Sequence, residues 1–392
     1  MMALRLLCIT PSNGAAGVSP MQGCSMSELP LRPDAPWLAP LAGWSDLPFR
    51  LLCRELGAAV CCTEMVSAKG LVYGGRNTEE LLATTPREGD TLEDGSLVCD
   101  HPLVVQIFGA EEAFMEQAVR LLQERGFSWF DVNMGCSVPK VTKTGAGAGM
   151  LRDVPNALRV AEAVIRAAGE GRAGFKIRLG WDAEHEVYLN LARRLADMGA
   201  GWVTLHPRHA VQGFSGVPRW SAIKELVEDL PVPVVASGDL FTAADGIRVI
   251  RETGAATVMY ARGALRNPAI FAAHGNLLRA GALQGDMPPS SGLSSENAAS
   301  DVQHSCDLLD ALPVNREELA AVIRRHAALA RRYAPQHALL KMRTFVPRYV
   351  KNLDGARALR QEIVSCSDWD TLYDILERHF GDVRNCPHCG RG

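Results

Sequence analysis

The sequence predicts a (β/α)8 barrel followed by a small all-helical domain. Three observations carry that expectation. Short apolar runs alternate with helix-period segments from residue 36 to about 275. The runs number eight, and their span of roughly 240 residues is that of one such barrel. Polar residues close five of the runs, which is where a barrel carries its site. A doubly wound sheet is the alternative, but the Gly-x-Gly-x-x-Gly turn it needs after the first strand is missing. The glycines at 145, 147 and 149 follow the fourth strand and do not replace it.

The elements follow in order. Residues 37–42 form the first apolar run. Residues 46–56 read as a helix, capped by Ser45 or Asp46 with Pro48 in the first turn. Strands are expected over 58–65, 104–108 and 129–133, with a helix over 111–125. Asp153 caps a helix from 155 to 168. A strand at 174–178, a helix at 184–198 and strands at 202–205 and 232–236 come next. Thr242 caps a helix to 251, and the eighth strand is 256–260.

The flanks differ from this pattern. Residues 1–33, rich in Ser, Gly and Pro, read as a disordered extension, with Met21 or Met26 as alternative starts. Residues 34–275 are the barrel, and 276–312 a flexible insertion with Pro-Pro-Ser-Ser-Gly at 288–292. Residues 313–392 are a helical domain with a frayed tail, broken at Pro335 and near Asp354-Gly355. Between 324 and 360 stand ten cations, among them Arg343 and Lys351, against one anion, Asp354. The whole chain carries only −3. A near-neutral protein with one strongly basic module points to a polyanion partner.

Composition narrows the class. With 47% hydrophobic and 22% charged residues in 392, the chain is an ordinary globular protein, with no apolar run long enough for a membrane. The spacing of its 11 cysteines suggests no disulfide framework, which fits a reducing cytoplasm. Cys386-x-x-Cys389 is half a zinc site without a second half nearby, so no metal is expected.

The strand-end residues are Gln106, Asn133, Lys176, His206 and the turn Ser237-Gly238-Asp239. A buried lysine such as Lys176 is costly without an anionic partner. After the last strand comes Ala261-Arg262-Gly263-Ala264, where small residues admit backbone N–H groups to an anion and Arg262 adds charge. Such a corner suits a cofactor phosphate. FMN meets this arrangement, with Lys176 beside the N1/O2 edge of its ring. Three residues past Asn133 stands Cys136, which at a strand end serves as acid, nucleophile or ligand.

Taken together, the motifs resemble the tRNA-dihydrouridine synthase family. The matching pieces are Leu38-Ala39-Pro40-Leu41-Ala42-Gly43, Thr63-Glu64-Met65-Val66, Val105-Gln106-Ile107-Phe108-Gly109 and Asp131-Val132-Asn133-Met134-Gly135-Cys136. Lys140 to Gly147, Phe175-Lys176-Ile177-Arg178, Leu205-His206-Pro207-Arg208, Ser237-Gly238-Asp239 and Arg262-Gly263-Ala264 follow in family order. The resemblance implies an FMN enzyme that reduces uridine in tRNA to 5,6-dihydrouridine with NADPH, acting as a monomer without an obligate protein partner. It implies FMN contacts from Pro40, Leu41, Gln106, Lys176, His206, Ser237, Gly238, Asp239, Arg262 and Gly263. Asn133 would position the uracil, and Cys136 would be the general acid. Hydride reaches C6, and the thiol protonates C5 from the opposite face. Lys140, Arg178, Arg343 and Lys351 would meet substrate or RNA. Three departures stand out: Ser137 replaces a usual Pro after the cysteine, Ser237 a usual Asn, and Leu41 a usual Met. Rival readings are an FMN barrel acting on a free pyrimidine and an inactive RNA-binding homologue.

Overall fold

The computed structural model describes residues 28–75, 78–85, 99–283, 316–351 and 353–381. Most of the expected N-terminal extension, residues 284–312 and the Cys386–Cys389 tail lie outside the described residues.

The strands are β1 (Trp37–Leu38), β2 (Val60–Cys62), β3 (Val66–Ser67), β4 (Leu103–Phe108), β5 (Phe130–Met134), β6 (Ala173–Arg178), β7 (Trp202–His206), β8 (Val234–Ala236) and β9 (Thr257–Tyr260). Every strand pairs in parallel with its neighbours, and β1 pairs with both β2 and β9, so the sheet closes. Strands β2 and β3 both lie against β4, so nine segments make eight staves. The single strand expected over 58–65 is interrupted because Thr63 Oγ1 accepts the Gln106 N–H at 3.1 Å, in place of a ladder carbonyl.

Around the barrel run α1 (Leu47–Glu55), α2 (Ala68–Val72), α3 (Thr78–Leu81), α4 (Glu112–Glu124), α5 (Pro139–Thr142), α6 (Val154–Ala168), α7 (Tyr188–Asp197), α8 (Ser221–Asp229), α9 (Ala243–Thr253), α10 (Arg262–Arg266) and α11 (Ile270–Arg279). Their starts follow the sequence signals. Asp46, Asp153 and Thr242 cap α1, α6 and α9, the last through a full capping box with Asp245. Helix α7 is shorter than the expected 184–198. The Asp182 carboxylate accepts from the N–H groups of Glu184 and His185, and this turn takes up the first residues.

Period-2 alternation divides the apolar residues of the barrel. Phe130, Val132, Met134, Phe175 and Ile177 join the layer between strands and helices. Trp37, Trp129, Trp202, Val235 and Met259 form a second core that fills the barrel floor. Trp37 and Trp202 meet edge to face at 5.5 Å. Gly174 makes room for them, since a Cβ there would stand 2.0 Å from Trp202 Cε2.

Residues 28–33 are a correction to the expected disordered extension. Leu29 is buried in the floor, Pro30 O accepts from Trp37 Nε1 at 3.1 Å, and Pro33 O bonds His274 Nε2 at 2.8 Å. At the other end α11 runs unbroken through residue 275.

The C-terminal helices are α12 (Arg316–Tyr333), α13 (Ala338–Tyr349), α14 (Ala356–Ser365) and α15 (Trp369–Phe380), with breaks at the expected Pro335 and Gly355. They dock on α1, and their buried side chains are continuous with the barrel's outer core. Phe345 packs on Phe49 at 4.9 Å and on Trp44 at 5.0 Å. Arg325 bridges to Glu55, and Lys341 to Asp46 at 3.2 Å. No helix among the described residues is long and apolar enough to cross a membrane. Cys53, Cys61, Cys62, Cys136 and Cys366 are free thiols, whereas Cys99 takes part in a disulfide, against the expectation.

Two buried groups, on α1 and α12, make the fold sensitive to substitution and to pH. Arg50 is fully buried; it donates to Asp100 at 2.9 and 3.1 Å, to Ser45 O at 2.8 Å and to Ala83 O at 2.6 Å. Arg50→Ala strands the Asp100 carboxylate, and urea unfolding is expected to show a loss of about 3–5 kcal/mol. His326 is buried among aromatic rings, and burial holds it down at about 4. The unfolded chain therefore takes up a proton that the native fold refuses, and stability falls as pH drops from 6.5 toward 4, by up to about 3 kcal/mol. His326→Gln is expected to flatten that part of the stability curve, measured as urea midpoints at pH 7 and pH 5.

Candidate active site

The strand-end polar residues converge on the carboxyl end of the barrel. Ladder register sets their levels: Asn133 pairs with Lys176, and Arg178 with His206. Asp131 and Asn133 point to the same interior face because they are two apart on β5.

These side chains form a chain of hydrogen bonds. Gln106 Nε2 donates to Asp131 Oδ2 at 2.6 Å, and Asn133 Nδ2 donates to Gln106 Oε1 at 2.8 Å. Asn133 Oδ1 then accepts from the N–H groups of Gly135 and Cys136 at 3.2 and 2.9 Å. The same amide nitrogen approaches Met65 Sδ at 3.4 Å. Cys136 O accepts from Ala148 N at 2.9 Å, and Gly147 closes over that carbonyl at φ +59°. A Cβ at 147 would stand 2.6 Å from it. The cysteine loop is thus held from both sides despite Ser137. Pro139 opens α5 at its first turn, leaving Lys140 exposed at the rim.

Lys176 stands half-buried at the mouth and makes no side-chain hydrogen bond among the described residues. Burial lowers its pKa, while the nearby Asp131 carboxylate opposes that shift. Burial raises the Asp131 pKa in turn, against the Gln106 hydrogen bond and the Lys176 charge. Cys136 lies within the electrostatic reach of both Lys176 and Arg178.

The far side of the mouth is cationic. Arg178 donates to Gly135 O, His209 O and Gly213 O at 2.8, 2.9 and 2.9 Å, tying the cysteine loop to the loop after β7. Burial, then Arg208, brings the Arg178 guanidinium down to about 10. His206 is buried beside Arg178, Lys176, Arg208 and Arg262, and burial with those charges holds it well below its usual range. It is a neutral imidazole at pH 7. Asp239, at φ +53°, accepts from Arg208 at 2.9 Å and also from Arg262. Gly238 precedes it at φ +107°, and Ser237 is buried at the end of β8. Gly263 lies in the first turn of α10 against Leu240 O. Pro40 and Leu41, both half-buried, follow β1, which pairs with β9, so they stand on the rim beside Arg262 and Gly263.

Two expected residues lie away from the mouth. Lys351 is exposed beyond α13, while the Arg343 guanidinium reaches Val364 O and braces α13 against α14. Four groups at the mouth were not singled out from the sequence. Asp131 was legible from its i, i+2 spacing to Asn133. Arg208 stands two residues past His206 in the same motif. Glu64, which accepts from Gly43 N, carried no separate signal. Neither did Phe214, which is 62% exposed and stacks on His206 at 6.2 Å and under Arg262 at 4.5 Å.

The architecture is therefore a barrel mouth with one thiol, one neutral imidazole and a cationic wall. The dihydrouridine synthase family model matches residues 37–382. A Synechocystis protein named Probable tRNA-dihydrouridine synthase 1 is 30% identical over 352 residues, covering 89% of this chain and 87% of that protein. The tRNA-dihydrouridine synthase B of Pseudomonas aeruginosa is 28% identical, with 89% and 93% covered. Among solved structures, morphinone reductase in complex with tetrahydroNAD aligns at TM-score 0.40 and 14% identity, covering 68% of this chain and 92% of that one. With the family model spanning barrel and helical module alike, the chain belongs to the dihydrouridine synthase family.

Proposed function

We propose that the protein reduces the C5=C6 bond of uridine in tRNA, with FMN as the bound redox group and NADPH as the electron source. The observation that carries this reading is the held thiol of Cys136 sharing the mouth with Lys176 and the His206–Arg262 wall.

The residues fit FMN by the chemistry of their donors. A phosphate monoester needs a guanidinium and closely approaching N–H groups, supplied by Arg262, Gly263 and the Ser237-Gly238-Asp239 turn. The electron-rich edge of a reduced flavin needs a cation, supplied by Lys176. Gln106 keeps its second amide hydrogen for the ring edge, neutral His206 offers a donor without adding charge, and Pro40 with Leu41 covers the ring from the β1 side. Held there, a reduced FMN would be the hydride source for uracil C6.

The chain's own groups do the rest. Asn133 orients the uracil while its Oδ1 keeps the Cys136 loop in place. Cys136 holds a proton at Sγ and gives it to C5, completing the saturation of the C5–C6 bond. Arg178 and Lys140 line the entry for the unstacked base. The module of α12–α15 binds the tRNA through exposed cations, Lys351 and Arg357 among them. Arg343, engaged with Val364 O, contributes by bracing that surface. The enzyme works in the cytoplasm as a monomer.

Cys136→Ala is expected to lower turnover by roughly 10²–10⁴-fold, with FMN absorbance and tRNA binding kept. Dihydrouridine near the wild-type level in nuclease digests of tRNA would remove Cys136 from the general-acid role. Lys351→Glu with Arg357→Glu is expected to weaken tRNA binding. The slope of log affinity against log salt is expected to fall by about one per lost phosphate contact. An unchanged slope would place the RNA surface elsewhere.

A further inference from the structure

The loop between β1 and α1, residues 39–46, carries Pro40 and Leu41 to the mouth. It is gripped from two directions. From within, Ser45 Oγ accepts from Leu41 N at 2.9 Å, and Leu41 O accepts from Trp44 N at 2.8 Å. The Gly43 N–H goes to the Glu64 carboxylate beyond β2. From outside, the grip comes from the C-terminal module. Lys341 Nζ donates to Gly43 O at 3.3 Å and pairs with Asp46 Oδ2 at 3.2 Å. Phe345 meets Trp44 edge to face at 5.0 Å, and the Arg348 guanidinium lies 3.9 Å from the centre of the Trp44 ring. Both polar groups of Gly43 are therefore used, one by the barrel and one by α13.

These contacts have no counterpart in RNA binding. The Lys341 side chain is only 24% exposed, and its charge already faces Asp46. Phe345 is fully buried. A helix that served only as an RNA surface would keep its cations outward. On α13 one lysine and one phenylalanine turn instead toward a single short stretch of barrel loop, and the exposed Arg348 lies over the Trp44 ring of that stretch.

We infer that the C-terminal helical module also serves the cofactor side of the barrel, because through Lys341, Phe345 and Arg348 it holds the β1–α1 loop in the position that covers the cofactor. Lys341 is a positioning residue acting through Gly43, with no contact of its own to the cofactor. The inference rests on the functional reading above, because it takes Pro40 and Leu41 as the cofactor-side residues of that loop. It makes cofactor affinity depend on a side chain of the RNA-binding module.

The test uses the full chain stripped of flavin and titrated with FMN, following quenching of flavin fluorescence. Lys341→Met is expected to raise the FMN Kd about tenfold, while Lys341→Arg, which keeps the charge and the donor, stays within about twofold of wild type. The salt slope of tRNA binding is expected to stay as in wild type for both. An FMN Kd unchanged in Lys341→Met overturns the inference. So does a salt slope reduced by about one with FMN affinity kept, which makes Lys341 an RNA contact. If Lys341→Met fails to fold, Arg348→Ala, which removes an exposed side chain, is expected to raise the FMN Kd severalfold, and no change there overturns the inference. Wild-type protein that takes up no FMN is a different failure, since it sinks the functional reading itself.

Discussion

Inside a closed parallel barrel a badly turned amide is costly, and in the chain Asp131–Gln106–Asn133 each carboxamide oxygen and Asp131 Oδ2 has a donor, while Asp131 Oδ1 has none among the described residues. Its polarity is fixed from the loop end. The N–H groups of Gly135 and Cys136 only donate, so Asn133 must turn Oδ1 to them and Nδ2 to Gln106, which then turns Nε2 to Asp131. Each carboxamide between them has one orientation left. That orientation aims the cysteine loop, leaves an amide hydrogen of Gln106 for a ligand, and ties β4 to β5 at the level of Lys176. Everything the mouth does chemically depends on it.

The opposite wall obeys an electrostatic constraint. Arg178, Arg208, Arg262 and Lys176 crowd around His206, with Asp239 paired to two of the arginines. Such crowding is expensive unless an anion shares the space. Asp239 offsets part of it, and a phosphate would offset more. The neutral imidazole is the other adjustment, because a further proton there would face four cations.

How much of this was legible in the sequence depended on the kind of signal. The barrel was readable because each strand is a short buried run, and because Asp46, Asp153 and Thr242 announce their helices. The strand-end polar residues were readable for the same reason: Gln106, Asn133, Lys176 and His206 interrupt or close apolar runs. What stayed hidden depends on pairs distant in the chain. Thr63 splits a strand only because Gln106, 43 residues later, needs an acceptor. The contact of the Arg343 guanidinium with Val364 O, 21 residues on, carries no signal in the charge pattern. Helix α7 began late because Asp182 closed a local turn that helix periodicity does not register. The support of the cysteine loop by Gly147 and Ala148, in the absence of the usual proline, likewise needed three dimensions.

The barrel floor bears on how this chain can drift in evolution. Gly174 and Trp202 occupy one volume between them. Position 174 can accept a side chain only after the indole shrinks, and truncating a buried indole costs about 3–5 kcal/mol. Either first step alone is destabilising, so sterics couple the two positions. A side chain at 174 and a smaller residue at 202 are tolerated more readily together than either is alone.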